Sequence, residues 1–408
     1  MELQGHRYDV AIAGAGPAGL ATALNLLREH PEMAGRIVAF DKARHPRFKV
    51  CAGGLIPRTL AALRELGLTP LPIAAIEVFS GTASTEAGDV ALGESPEPLC
   101  TIVRRNGFDA YLAAAARDAG LVLLEDTRVR AVEQRADEVR IATDRGEFSA
   151  AVLVGADGSG SVVRRMAFGP GKENIGRAIM TDVAVDALCA PEFVQRQYRF
   201  DFNCVAAGVR GYSWSFPCLI DGAPHLNIGI YDQMPREAVS PAGAKRDLMD
   251  ELRRAFPLAV CSDTARKAFP IRWYDPRDRY AAGRVILAGD AAGVDPLMGE
   301  GISCAFEHGK LAAAAVADFV GGDRGALEAY SAAIHRGIIG RKLRRLGFAA
   351  RRFYGPRHRL YFRVAAMSAR ARELGVDWYN GARRVDELSI GGVLMRWAAA
   401  VLFGMRLR

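Results

Sequence analysis

The sequence predicts an α/β chain: a mostly parallel sheet with crossover helices, an antiparallel-sheet region inserted into it, and a helical C-terminal region. Three observations predict this. First, the apolar run at residues 8–13 passes straight into Gly14-Ala15-Gly16-Pro17-Ala18-Gly19, and Leu20, Ala23, Leu24 and Leu27 then recur at helical spacing. Second, another strand–turn–helix element lies far along the chain, with residues 284–288 leading into Gly289-Asp290 and Gly299-Glu300-Gly301. Third, residues 176–232 alternate apolar and polar positions between these two, as half-buried strands do.

The bounds agree with such a fold. The chain has 408 residues, enough for two or three domains, and is 50% hydrophobic and 25% charged. Cys51, Cys100, Cys189, Cys204, Cys218, Cys261 and Cys304 form no C-x-x-C pair and no metal-ligand spacing. Reduced thiols, no metal and a cytoplasmic location are therefore expected. The N-terminus has no long apolar signal core, and no run reaches the ~18 apolar residues of a membrane span.

Taken in order, the first turn is followed by a second apolar strand at 36–40. That strand ends on Asp41, 22 residues past Gly19. A G-x-G-x-x-G between strand and helix, with an acid at that distance, is a dinucleotide pattern. Its glycines permit a tight turn and close approach of a pyrophosphate, while Asp41 would accept hydrogen bonds from an adenosine ribose. In residues 45–63, Gly53 and Gly54 suggest backbone held close to a ligand. Arg44, Arg47 and Lys49 form a positive cluster that reads, on its own, as solvated surface. Residues 73–100 carry short strand-like runs. Arg104-Arg105-Asn106-Gly107-Phe108-Asp109 opens an alanine-rich helix that Gly120 would cap. Strands are expected at 121–134, 138–143 and 151–154, the last leading into Gly155-Ala156-Asp157-Gly158-Ser159.

Tyr212, Trp214 and Phe216 place three aromatics within five residues, by pattern alone equally an ordinary sheet face. A helix near 242–256 and a turn at Pro270 lead back to the strand at 284–288. The glycine-rich turn after it opens a helix near Gly301, and a helix N-terminus there favours an anionic group. Residues 331–372 differ from the rest, with twelve Lys or Arg and no acid in a chain whose net charge is +8. Ile339, Leu343, Leu346, Phe353 and Tyr354 interleave with these charges. A basic amphipathic helix of this kind suits a membrane surface as well as a solvated face. Arg341, Lys342, Arg344, Arg345, Arg351 and Arg352 are the candidates for meeting anionic lipid. The apolar stretch at 393–403 suggests a docking helix or interfacial anchor. No nucleic-acid-binding motif accompanies the charge, so no nucleic-acid partner is expected.

The three separated elements, with Asp41, resemble FAD enzymes built like aromatic hydroxylases. Within that group the chain looks like the geranylgeranyl reductase family. The matches are Lys49-Val50-Cys51-Ala52-Gly53-Gly54, Arg104-Arg105 with Phe108-Asp109, Tyr212-Ser213-Trp214-Ser215-Phe216-Pro217 and Gly299-Glu300-Gly301-Ile302. The resemblance implies a discontinuous Rossmann-like FAD-binding domain (1–72, 101–175 and 280–335), an inserted β-rich substrate domain (73–100 and 176–279) and a basic helical region (336–408). It implies that Gly14, Gly16, Pro17, Ala18, Gly19, Asp41, Lys42, Cys51, Ala52, Arg105 and Asp157 bind FAD. Gly289, Asp290, Gly299, Glu300, Gly301 and Ile302 would bind its ribityl and flavin part. Cys51, Gly53 and Gly54 are implied at the catalytic position, and Tyr212, Trp214 and Phe216 along the substrate channel. The loop after Asp290 is shorter than the family's usual pattern by a residue.

The reaction implied is saturation of carbon–carbon double bonds in a geranylgeranyl-type chain, with NADPH or another reductant as electron source. A thiol, with a reference pKa of about 8.5, is a weak acid for adding the proton. Cys51 is therefore either proton donor or positioning group. Two rival classes share the motifs: a flavin monooxygenase, and a non-catalytic electron-transfer flavoprotein.

Overall fold

The computed structural model describes residues 7–169, 174–233, 241–260, 267–367 and 369–380, which build three sheets. Arg7–Ala13 is the middle of the first sheet. Ile37–Phe40 and then Val122–Leu124 flank it on one side, Gly146–Gly155 and then Val285–Leu287 on the other, all parallel. Val10, Ala11, Ile12 and Ala13 are fully buried, as a parallel strand covered on both faces must be. Helices Pro17–Glu29 and Ile302–Val320 supply part of that cover and pack on each other. Gly309 permits the close approach, since a Cβ there would lie 2.7 Å from Ala21 Cβ.

Register explains why motifs far apart in sequence matter together. Ala13 pairs with both Phe40 and Gly155, and Gly155 pairs with Leu287. The carboxyl ends of four strands are therefore level, and the turns after them converge on one crevice, where open α/β sheets bind ligands.

The second sheet has the order Lys267–Arg272, Ile175–Ala184, Ala223–Asp232, Gly211–Ile220, Gln197–Asp201, Ser80–Thr85 and Gly88–Glu94. All its pairs are antiparallel except Gln197–Asp201 with Ser80–Thr85. A small third sheet joins Gly54–Leu55, Cys100–Val103 and Ala75–Val78. Helices Ala326–Arg336, Ile338–Phe353, His358–Met367 and Ala369–Asn380 follow. No described helix is long and apolar enough to cross a membrane.

Two expectations need correcting. The strand expected at 121–134 is two, Val122–Leu124 and Val129–Gln134, because the chain turns at Asp126 with φ +50°. Pro270 marks no turn: it lies within Lys267–Arg272, an edge strand, where proline's missing N–H need not leave a ladder bond unmade. The stretch at 393–403 lies outside the described residues.

Candidate functional site

A cavity of about 1210 Å³ occupies the crevice and runs on beneath the second sheet. Every site residue named from sequence lines it, except Gly19. A Cβ at Gly19 would fall 2.0 Å from the Gly14 carbonyl oxygen, so this glycine lets the helix start pack against its own strand. Gly14 has φ +102°, and a Cβ there would meet the Ala156 carbonyl oxygen at 2.3 Å. The first and middle turns are thus in backbone contact.

The residues fit a dinucleotide. Helix Pro17–Glu29 begins with Gly16 and Pro17, and no side chain caps it. Arg47 lines the cavity, and its buried Nε has no hydrogen-bond partner among the described residues, although Arg47 lies 3.6 Å from Asp41 and 3.4 Å from Asp109. A buried guanidinium N–H left over in this way suits a pyrophosphate oxygen. The Asp41 carboxylate accepts from Ala15 N–H at 2.9 Å and Ala43 N–H at 3.0 Å, which ties the first turn to the end of the second strand. Asp157 has a different duty from contacting ligand with its side chain. Its carboxylate accepts from Val162 and Val163 N–H and from Ser161, holding the start of helix Val162–Phe168. Burial raises its pKa, and those donors oppose the rise.

The turn after Asp290 is tied by groups that sequence reasoning missed. Asp295 is buried and accepts from Leu297 N–H at 2.6 Å, Met298 N–H at 3.2 Å and the Tyr379 hydroxyl at 2.9 Å. Burial pushes its carboxyl up to about 6, with the backbone N–H of Leu297, the field of Lys342 and the Tyr379 hydroxyl acting the other way. Glu300 takes the N–H of Ser303 at 2.7 Å, so this acid already occupies part of the helix N-terminus proposed for an anion. His308 is fully buried and accepts from Gly289 N–H at 3.1 Å; burial lowers it to about 4, so it is neutral. Asp290 accepts from Ser159 at 3.3 Å, joining the middle and last turns.

The positive cluster is not solvated surface. Of the three, only Arg44 is exposed; Arg47 and Lys49 are half-buried and line the cavity. Lys49 sets its ammonium 2.9 Å from the centroid of Phe269. Cys51 accepts from Gly53 N–H at 3.3 Å, and Arg105 acts on it electrostatically. Arg105 in turn grips Asp109 through two bonds of 2.7 and 2.9 Å. Gly53 has φ +81°, and a Cβ there would sit 1.8 Å from the Val103 carbonyl oxygen, which explains this glycine by packing alone.

Tyr212, Trp214 and Phe216 are buried on alternate positions of Gly211–Ile220, and Tyr198 and Phe200 from the neighbouring strand stack with them. Their polar ends are tied off. Trp214 Nε1 donates to Asn227 at 2.8 Å, and the Tyr212 hydroxyl donates to the Met298 carbonyl at 2.6 Å. What remains for the cavity is ring surface. The C-terminal helices close this part with Phe348, Phe353, Tyr361 and Phe362. Of the basic residues offered for a membrane face, Lys342 is buried beside Asp295 and Tyr379, and Arg345 and Arg352 line the cavity. Hydrophobic spacing alone does not separate a helix lying on the surface from one lying over a cavity.

The comparisons with known proteins agree with this geometry. The model of the FAD binding domain matches residues 7–338. The menaquinone reductase of Mycolicibacterium smegmatis is 30% identical over 319 residues, 75% of this chain and 76% of that protein. The digeranylgeranylglycerophospholipid reductase of Methanothrix thermoacetophila is 29% identical over 331 residues, 78% of this chain and 80% of that protein. Among solved structures, a geranylgeranyl bacteriochlorophyll reductase-like protein from Thermoplasma acidophilum superposes with a TM-score of 0.72 at 19% identity, over 98% of this chain and 97% of that one. The p-nitrophenol 4-monooxygenase of Pseudomonas putida also superposes, with a TM-score of 0.70 at 20% identity, over 93% of this chain and 99% of that one.

Proposed function

The chain belongs to the FAD binding domain family, as an FAD-dependent oxidoreductase with geranylgeranyl and menaquinone reductases among its relatives, and on that premise we propose that it saturates carbon–carbon double bonds of a polyprenyl chain. One observation carries the choice over hydroxylation. The aromatic wall of the cavity has its polar ends already bonded within the protein, Trp214 to Asn227 and Tyr212 to Met298. Such a wall offers a hydrocarbon chain apolar surface at low entropic cost and leaves neither of these donors for orienting a phenol. The bound flavin supplies the hydride equivalent, recharged by NADPH or another reductant; the protein supplies binding, orientation and electrostatics. In this reading the turns at Gly14, Asp157 and Gly289, with Asp41, Lys42, Arg47 and Arg105, hold FAD. Cys51, Gly53 and Gly54 form the wall beside the reacting bond.

The test is anaerobic. Protein whose flavin has been reduced with dithionite is mixed with geranylgeranyl diphosphate, and flavin reoxidation and product mass are followed. A gain of two hydrogens without oxygen is expected. Turnover that requires oxygen and adds an oxygen atom replaces this reading with hydroxylation.

The substrate is proposed to arrive from a lipid surface. Ile338, Leu360 and Met367 are exposed apolar side chains on the C-terminal helices, interspersed with exposed Arg344, Arg351, Arg357, Arg359 and Arg363. Each arginine near an anionic leaflet adds about 1 kcal/mol. Sedimentation with phosphatidylglycerol vesicles should show binding that falls with salt. Binding insensitive to salt, or none, removes this part.

A further inference from the structure

We propose that Lys49 is the proton donor for double-bond saturation and that Cys51 positions rather than protonates. The inference rests on the reductase reading above. Lys49 lines the cavity next to Cys51, Gly53 and Asp290, and its ammonium lies against the face of Phe269. Among the described residues no carboxylate or other hydrogen-bond partner binds it. The cation is held by an aromatic face, which attracts charge without accepting the proton. The sulfur of Cys51 is in the opposite situation. The hydrogen bond given to its sulfur comes from Gly53 N–H at 3.3 Å, so in that contact it is an acceptor, and Arg105 acts on it electrostatically.

The charges around Lys49 suit an acid that must give up its proton and regain it. Burial lowers its pKa to about 8; the Asp290 carboxylate and Cys51 oppose the fall, while Arg105 and Arg47 add to it. A lysine poised near working pH is a better general acid than one at its ordinary value. In the step itself, the π pair of the alkene takes the proton at one carbon as the ammonium N–H bond breaks. Bound flavin would supply the hydride equivalent that completes the C–H bond at the other carbon, and lysine is left as neutral amine. Solvent at the cavity mouth then recharges it. Product gains two hydrogens, one as the lysine proton and one as the hydride equivalent that the cofactor would supply.

The experiment compares wild type, Lys49→Met, Lys49→Arg and Cys51→Ala at matched FAD content, with dithionite-reduced flavin and geranylgeranyl diphosphate. Wild-type single-turnover reoxidation should fall as pH rises through about 8, because the acid form is the one that reacts. Both lysine variants should be slower by about 10²-fold or more and lose that limb, whereas Cys51→Ala should be slower but keep it. A separate reading needs no turnover: the absorbance of bound oxidised flavin should titrate near 8 in wild type and not in Lys49→Arg. A lysine variant that keeps the wild-type limb, or a flavin titration identical in wild type and Lys49→Arg, overturns the proposal. If wild type saturates no double bond at all, the reductase reading fails and takes this proposal with it. Saturation at the wild-type rate in the lysine variants fails this proposal alone.

Discussion

The two parts of the cavity are built by different means. Around the turns at Gly14, Gly53 and Gly289 the wall is backbone, placed by glycines whose positive φ and close neighbours admit no side chain. Along Gly211–Ile220 the wall is aromatic side chain, placed by cross-strand stacking and by hydrogen bonds to Asn227 and Met298. Backbone walls are intolerant, since a Cβ set against a carbonyl has nowhere to go. Side-chain walls can repack, so damage to them is graded. The comparison therefore predicts where a substitution abolishes cofactor binding and where it only retunes the substrate pocket.

The sharpest test is Gly14→Ala. The new Cβ would combine an unfavourable φ of +102° with a 2.3 Å contact to Ala156 backbone, forcing the first and middle turns apart. We expect little folded protein carrying flavin, read as the ratio of flavin to protein absorbance after purification. Normal flavin content in Gly14→Ala would break the comparison. Trp214→Ala comes next and should behave differently. A buried indole lost from the second sheet costs roughly 3–5 kcal/mol by chemical denaturation. The surviving folded protein should still hold a full complement of flavin while binding prenyl substrate more weakly.

How much could be read from sequence follows the same division. The turns at Gly14 and Gly289 and the strand end at Asp41 were legible because local chain geometry imposes their spacing. So were the strands at 8–13 and 36–40, whose apolar runs end in a turn. The aromatic strand was visible as a pattern but not as a wall, because its meaning depends on Asn227 and Met298, which are distant in sequence. Lys49 and Arg47 looked like surface, since a three-charge cluster carries no sign of the Phe269 face or the Asp109 carboxylate that receives it. Asp295 was passed over for the same reason: its partners Lys342 and Tyr379 come from helices whose basic composition suggested a different role.

Asp295 joins the two regions and gives a pH-dependent prediction. Its folded-state pKa is raised from 3.8 to about 6, so the folded protein holds the proton more tightly than the unfolded chain. Stability from this group is present at low pH and is lost as pH rises from about 4 through about 6, by up to about 3 kcal/mol. Asp295→Asn removes that dependence. The melting temperature of the variant relative to wild type should therefore improve between pH 5 and pH 7. A difference that is constant across that range would mean the carboxyl is not buried as charge.

The smallest effect expected is that of Tyr212→Phe, and it tests whether the two regions are mechanically coupled. The hydroxyl donates to the Met298 carbonyl at 2.6 Å, while Asp295 accepts from the Leu297 and Met298 N–H groups on the same short loop. Removing the hydroxyl keeps the ring in the wall and costs about 1 kcal/mol, the usual worth of one such bond. Flavin content should not change. If the aromatic wall and the 295–298 loop are one unit, the combined Tyr212→Phe and Asp295→Asn variant should depart from additivity by about 0.5 kcal/mol or more, the range found for residues sharing a network. Additive effects at pH 7 would instead mean that the hydroxyl and Asp295 act on the loop independently. The hydroxyl would then only remove a polar group from the substrate's path, and the cavity's two parts would be independent walls around one space.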